Sequence, residues 1–369
     1  WAPFVLLAVA LVLALVLAIM PVKRGGHVLL SVEGTTVALI LIVTAVVLVR
    51  LLAGNAPGGH TFTLSVFTVA PGTSSSGLFL GVVFGFLSFA GFEAAATLGE
   101  EANRPTRDIP RAILFTAIFG GLYFVIVTAV EVMGFGTGPA GIKAFTASPS
   151  LLGDLGSTYV GSWVGDVITL GTTISAFGCC LACVVGAARL LYALSRDTAG
   201  PRGLGQSSSR WGTPVWATLA IVAMAAVILI IETAVAAQPA AFNSFLWSGT
   251  IGTLILLVVY VLATVGCIML VFVRHKLPVP MWQVVVPGAG LLVLGYTLWR
   301  NVIPYPTGTP KWFPVVAGAW LVAAVIAVIF APGTARKLGA ALQAREGIAA
   351  PGTEEAAAPR LASARDDAS

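Results

Sequence analysis

A glycine and a carboxylate lie together inside a long apolar segment, in the run Ser88-Phe89-Ala90-Gly91-Phe92-Glu93. A charge buried in such a segment is costly unless it is paired, protonated or faces a polar cavity. Glycine lets a helix unwind cheaply because it has no Cβ, and unwinding frees backbone groups that then need a ligand, an ion or water. The residues alone leave two interpretations open. One is a binding site at a broken helix, and the other is an unbroken helix in which Glu93 hydrogen-bonds to a neighbour.

Nine apolar segments would position this run, each long enough to cross a bilayer. A hydrocarbon core about 30 Å thick needs about 20 apolar residues of helix. Charged residues make up 9% of the chain, against about 25% in soluble domains, and the mean hydropathy is +0.97. This composition excludes a soluble globular domain. The segments are Trp1–Met20, Val28–Leu52, Gly77–Leu98, Pro110–Phe135, Gly165–Leu194, Pro214–Glu232, Ser244–Val273, Met281–Trp299 and Phe313–Phe330.

The positive charges are distributed unevenly between the connections of these segments. With connections on alternating sides, sixteen of the twenty Lys and Arg residues fall on one side and four on the other. Loops rich in Lys and Arg stay in the cytoplasm, so we expect the tail beyond Pro332 to be cytoplasmic. Nine spans would then put Trp1 outside, and no basic leader precedes it. We therefore expect an odd number of further spans before Trp1 in a longer protein.

The loop after Glu93 adds a pattern that extends to Ile113. Pro110 suits the first turn of a helix, and Asp108 is suited to cap that helix and complement its positive end. The whole stretch from 88 to 113 resembles the sixth helix and the following loop of the amino acid–polyamine–organocation permeases. The matching positions are Gly91, Phe92, Glu93, Glu101, Asn103, Pro105, Arg107, Ile109, Pro110, Ala112 and Ile113. The stretch 189–197 similarly resembles the end of that family's eighth helix, and Gly249, Gly252 and Tyr260 fit its tenth.

This resemblance implies an all-α integral membrane protein with the leucine-transporter-like inverted-repeat fold. About nine transmembrane helices of the family's twelve would be present, the first three being absent. Residues 1–52 would form the last two helices of the first repeat, and residues 77–273 the complete second repeat of five helices. Residues 281–331 would form two extra helices, and 332–369 a cytoplasmic tail, disordered or partly helical.

The resemblance also implies a function, secondary transport of amino acids or related amines by alternating access. Substrate would be held by the backbone from Ser88 to Gly91, with Phe89 or Phe92 as an aromatic gate. Glu93 would brace the unwound segment or accept a proton, Cys183 would line the cavity, and Thr250 would contribute a side-chain contact. A non-transporting sensor or partner subunit of the same fold, or an ion channel, are the alternatives.

The other reactive residue types receive less specific interpretations. Glu33, Glu131 and Glu232 are interpreted as interfacial carboxylates that reach water. The cysteines at 179, 180 and 183 are interpreted as small packing residues rather than metal ligands, because no second pair or histidine accompanies them, and no disulfide is expected for Cys267. No enzyme motif, cofactor site or nucleic-acid-binding stretch is evident.

The lipid bilayer and the substrate are the partners expected, and the coupling ion is not specified by the residues. Ala182 and Cys183 occupy positions where the resemblance places hydroxyls in sodium-driven relatives, which disfavours sodium and leaves protons or exchange open. Arg outnumbers Lys fifteen to five, as a GC-rich bacterial genome would produce. We therefore expect a bacterial inner-membrane protein.

Overall fold

Helix is the regular structure throughout the described part of the chain, where no strand occurs. The computed structural model describes residues 2–20, 25–70, 72–92, 95, 104–197, 203–209, 211–235, 240–273, 279–303, 305, 308–330 and 333. The α-helices in these ranges are α1 (Ala2–Ile19), α2 (Gly25–Leu52), α3 (Ser75–Phe89), α4 (Pro105–Phe135), α5 (Pro139–Ala147), α6 (Leu151–Tyr159), α7 (Ser162–Asp197), α8 (Val215–Val235), α9 (Ala240–Ile268), α10 (Val285–Val302) and α11 (Trp312–Phe330). The predicted all-α class is confirmed. Glu93 and, apart from Gly333, the tail 332–369 lie outside the described residues.

Seven of these helices are long and apolar enough to cross a membrane, namely α2, α4 and α7 to α11. The other two predicted spans form shorter apolar helices, Phe4–Ile19 and Gly77–Phe89. At about 1.5 Å per residue α1 is about 27 Å long and α3 about 23 Å long, against a hydrocarbon core of ~30 Å. The second of these is short because α3 ends at Phe89, close to the predicted break. The protein is therefore a multi-pass membrane protein.

Helix α4 begins five residues earlier than predicted. Pro105 takes its first position, where the missing N–H costs no hydrogen bond, and the N–H of Asp108 already donates to the Arg104 carbonyl at 2.8 Å. Asp108 therefore lies within the first turn and not at the cap, where the sequence placed it. Its carboxylate still complements the positive end of the helix dipole.

The largest apolar cluster joins α2, α4, α6 and α7 near the outer ends that the charge distribution predicts. Val43 and Val47 of α2 pack there with Val164 and Ile168 of α7, all four nearly inaccessible to solvent. Thr36, which precedes Val43 on α2, lies against Gly171, which follows Ile168 on α7. The two helices therefore run antiparallel. The antiparallel contact thus continues toward the predicted cytoplasmic end of α2.

Helix α9 forms a second centre of packing, in contact with α3, α8, α10 and α11. Val83, Leu257 and Leu294 form its apolar cluster with α3 and α10. On the opposite faces of α10 and α11, large apolar side chains are exposed, such as Leu292 and Phe330. In a bilayer such side chains face lipid, where exposure has no hydrophobic cost.

Candidate binding site at a helix break

The described backbone leaves the helix at the glycine that the sequence singled out. Helix α3 ends at Phe89, and the N–H of Ala90 donates to the Leu87 carbonyl at 3.1 Å as the last turn tightens. Gly91 follows with φ +110°, a conformation that an L-residue with a Cβ rarely adopts. The last carbonyl groups of a helix have no partner within the helix. The break therefore presents polar backbone next to an apolar helix.

Two aromatic rings extend from the break toward different helices. The Phe89 ring packs edge-to-face on Phe124 of α4, with ring centroids 5.4 Å apart. The Phe92 ring lies beside Tyr260 of α9, with a centroid distance of 6.2 Å. Both distances are within the range of attractive aromatic pairs. The broken segment is thus held between α4 and α9 by one aromatic contact on each side.

A glycine pair on α4 makes room for the first of these rings. A Cβ on Gly120 or Gly121 would lie 3.5 or 3.6 Å from the Phe89 ring, in van der Waals contact. A side chain that extended beyond Cβ toward Phe89 would have to displace the ring. Sequence reasoning missed this pair and Phe124, although adjacent glycines beside two aromatic residues within a transmembrane helix are a readable signal of close packing.

On the α9 side of the site the helices approach more closely. A Cβ on Gly249 would lie 2.7 Å from the Leu87 side chain, so glycine at 249 allows the last turn of α3 to contact α9. Thr250, the next residue, is 2% exposed and its hydroxyl donates to the Leu246 carbonyl at 2.7 Å. The substrate contact of Thr250 stays a prediction. While the Thr250 hydroxyl donates to Leu246, it can only accept a hydrogen bond from a ligand.

The remaining predicted site residues lie in different surroundings. Ser88 is exposed and its hydroxyl donates to the Phe84 carbonyl at 3.0 Å. Cys183 is exposed on α7, a helix that packs mainly against α1, α2, α6 and α8. The described contacts therefore bring Phe89 and Phe92 together with α4 and α9, and place Cys183 on another group of helices.

The three carboxylates interpreted as interfacial differ in their surroundings. Glu131 of α4 is only 8% exposed, so the interpretation that it reaches water is wrong, because α4 turns this face toward the outer apolar cluster. Glu33 and Glu232 are half-buried and each accepts a hydrogen bond from a serine on a neighbouring helix, Ser175 at 2.9 Å and Ser248 at 2.7 Å. These two carboxylates take part in contacts between helices.

The geometry of the break can recognise a small molecule that carries both charge and apolar surface. Backbone N–H groups can bind a carboxylate and backbone carbonyls an ammonium group, as at other discontinuous transmembrane helices. Aromatic faces such as those of Phe92 and Tyr260 attract a cation further. No cluster of three or more metal-ligating side chains occurs among the described residues.

Comparison with known families decides the assignment of the chain. The sequence profile described as "Amino acid permease" matches residues 1–339. The chain belongs to the amino acid permease family. The predicted resemblance to the amino acid–polyamine–organocation permeases is thereby confirmed, and the helical membrane fold agrees with that family.

Relatives of this family member include proteins named for different substrates. It is 35% identical over 151 residues to the branched-chain amino acid permease BcaP of Lactococcus lactis, a match covering 40% of this chain and 31% of the relative. It is 31% identical over 142 residues to the low-affinity putrescine importer PlaP of Escherichia coli, covering 37% and 30% respectively. An uncharacterized transporter of Mycobacterium bovis is 34% identical over 144 residues, covering 39% and 31%. The chain thus matches less than a third of the length of each of these relatives.

Proposed function

We propose that this chain acts in secondary transport of amino acids or related amines across the membrane. The helix break at Gly91, with its polar backbone between the Phe89 and Phe92 contacts, is the observation that carries the proposal. Family membership supports it, since the relatives are named as permeases of branched-chain amino acids and as a putrescine importer. Both classes of substrate contain an ammonium group that backbone carbonyls and aromatic faces can bind.

The proposed mechanism is alternating access around this site. Residues 77–273 would form the second inverted repeat, residues 1–52 would belong to the first, and residues 281–331 would add two further helices. The C-terminal tail would be cytoplasmic, as the excess of Lys and Arg on that side suggests. Among the predicted site residues, backbone groups from Ser88 to Gly91 would bind the polar groups of the substrate.

The proposal is tested by transport in vesicles. The protein, expressed from its complete reading frame, is reconstituted and loaded with unlabelled substrate, and entry of labelled branched-chain amino acids and putrescine is followed. We expect saturable uptake that is accelerated by substrate on the opposite side. Unsaturable flux would indicate a channel, and binding without uptake would indicate a sensor or partner subunit.

The position of the site is tested separately by protection from a thiol reagent. Ser88 is exposed next to the break, so Ser88→Cys in a background without the four native cysteines should react with a permeant maleimide. Saturating substrate is expected to slow this reaction several-fold. Leu78→Cys, exposed at the other end of α3, is the matched control and should react at an unchanged rate. Equal protection of both positions, or of neither, would contradict a site at the break.

A further inference from the structure

An open groove of about 960 Å³ runs along α9, between α8 and α11. One face of α9 forms its floor, where Asn243, Trp247 and Ile251 follow one another at four-residue spacing. Ile228 of α8 and Val316 of α11 line the two walls. The volume lies at the upper end of the range of small-molecule pockets, about 300–1,000 Å³. A free amino acid would therefore fill only part of the groove.

The charged and amide side chains of the groove lie together at one end. Glu232 and Asn243 lie about one turn from the adjacent ends of α8 and α9, and Lys311 directly precedes α11. Ile251 lies eight residues further along α9 than Asn243, which is about 12 Å at about 1.5 Å per residue. The groove therefore has a charged mouth near the ends of its helices and an apolar part that extends deeper along them.

Two opposite charges line this mouth, and neither forms an ion pair within the described part of the chain. Oε2 of Glu232 accepts the hydrogen bond of Ser248 at 2.7 Å, and Oε1 accepts none from a described residue. The exposed Lys311 places its Nζ 5.4 Å from the centre of the Trp312 ring. The undescribed residues nearest in sequence, 236–239, 304, 306 and 307, include no charged residue. A ligand that carries both an ammonium group and an anionic group would complement this mouth.

The rims of the groove are the apolar surface that faces lipid. Ile231 and Val235 are exposed on the α8 rim, and Val316 is exposed on the α11 rim. Exposure of this kind has no hydrophobic cost in a bilayer, so lipid chains rather than water adjoin the apolar part. The neighbouring Lys311 and Trp312 are residue types that concentrate at the membrane interface. The mouth thus lies where headgroups are found and the apolar part where acyl chains are found.

We propose that this groove binds a phospholipid whose headgroup carries a phosphate and a primary ammonium, as in phosphatidylethanolamine. Lys311 pairs with the phosphate, and Oε1 of Glu232 accepts a hydrogen bond from the ammonium group. An acyl chain lies over Trp247 and Ile251. One cation and one anion in the mouth favour a zwitterionic headgroup over an anionic one, and a quaternary ammonium has no N–H to donate to Glu232. The inference does not depend on the proposed transport.

The test counts the lipid molecules bound to the full-length protein in detergent by native mass spectrometry. Phosphatidylethanolamine, phosphatidylcholine and phosphatidylglycerol with identical acyl chains are titrated separately. Glycerophosphoethanolamine, which is the headgroup without acyl chains, is the fourth probe. We expect one phosphatidylethanolamine to bind about tenfold more tightly than either other lipid, and the headgroup alone to bind at least tenfold more weakly than the whole lipid.

Two substitutions separate the contributions of the charges. Lys311→Gln should weaken binding of phosphatidylethanolamine and phosphatidylglycerol alike by about tenfold, because it removes the partner of the phosphate. Glu232→Gln should weaken binding of phosphatidylethanolamine alone, while the amide oxygen can still accept the bond from Ser248. Lys143→Gln and Glu33→Gln are the matched controls and should bind as the unaltered protein does. Lys143 is an exposed cation outside the groove, and Glu33 makes the same type of bond to a serine between other helices.

Equal affinity for all three lipids would indicate general lipid contact only and would overturn the inference. Tighter binding of phosphatidylcholine or phosphatidylglycerol would overturn the predicted complementarity of charge. Glycerophosphoethanolamine binding as tightly as the whole lipid would assign the groove to a soluble zwitterion instead. If Glu232→Gln lowers the melting temperature, Lys311→Gln decides, because its side chain is exposed. Unchanged lipid affinity in Lys311→Gln would then overturn the inference.

Discussion

Replacing Gly91 by alanine tests whether the helix break is required for transport. Gly91 has φ +110°, and a Cβ built there would meet no atom of the described residues within 4 Å. The substitution therefore introduces no clash with a described neighbour, and we expect its effect to come from the backbone conformation. Residues with a Cβ held in such a region cost about 1–3 kcal/mol. At 1.4 kcal/mol for each factor of ten, the equilibrium constant between the broken and the helical conformation should fall by about 5- to 150-fold.

The assay for Gly91→Ala is exchange of labelled substrate in vesicles, measured beside the melting temperature of the purified protein. We expect an exchange rate or apparent affinity reduced by up to that factor, since in the proposed mechanism substrate binds only to the broken conformation. Gly85→Ala is the matched control, because Gly85 lies within α3 and its Cβ would also meet open space. Alanine there should stabilise the helix by about 0.5–1 kcal/mol and leave transport unchanged. Wild-type exchange by Gly91→Ala would refute a functional break at this glycine.

Three further predictions concern packing and orientation. Gly249→Ala places a Cβ 2.7 Å from Leu87 and should lower stability by about 1–3 kcal/mol in thermal unfolding. Leu87→Ala in the same protein should recover part of that loss, and purely additive effects would contradict the contact. Tyr159→Phe removes the hydroxyl that donates to the buried Gly134 carbonyl at 3.0 Å and should cost about 1–3 kcal/mol, whereas an unchanged melting temperature would show that water replaces it. A fluorescent protein fused to the C-terminus should fluoresce, because it folds when it stays in the cytoplasm, and a dark fusion with an active periplasmic reporter would reverse the proposed orientation.

Hydropathy was sufficient to locate most of the helices, because a membrane helix must satisfy its backbone internally and cover it with apolar side chains. It was insufficient for α3, which ends at Phe89, well before the end of the apolar segment that predicted it. Hydropathy averages over a window and does not register where a helix ends. The start of α4 was misplaced for a related reason, since Pro105 and Pro110 both suit a first turn and only the backbone shows which one takes it.

The conformation of Gly91 was open to prediction from the sequence, because only glycine combines an apolar setting with freedom at positive φ. The residues that contact the broken segment could not be predicted from the sequence. The contacts of Phe89 with Phe124 and of Phe92 with Tyr260 join positions 35 and 168 residues apart, and nothing in local sequence encodes such pairing.

The sequence by itself determined that the chain is a helical membrane protein, where its spans lie and where one helix is weak, since these properties depend on the side chains of contiguous residues. The tertiary structure alone decided the roles of three carboxylates that look alike in sequence. Glu131 became buried, while Glu33 and Glu232 became hydrogen-bonded to serines on neighbouring helices. The environment of an ionisable group in a membrane is set by the helices packed against it, and those helices come together only when the chain folds.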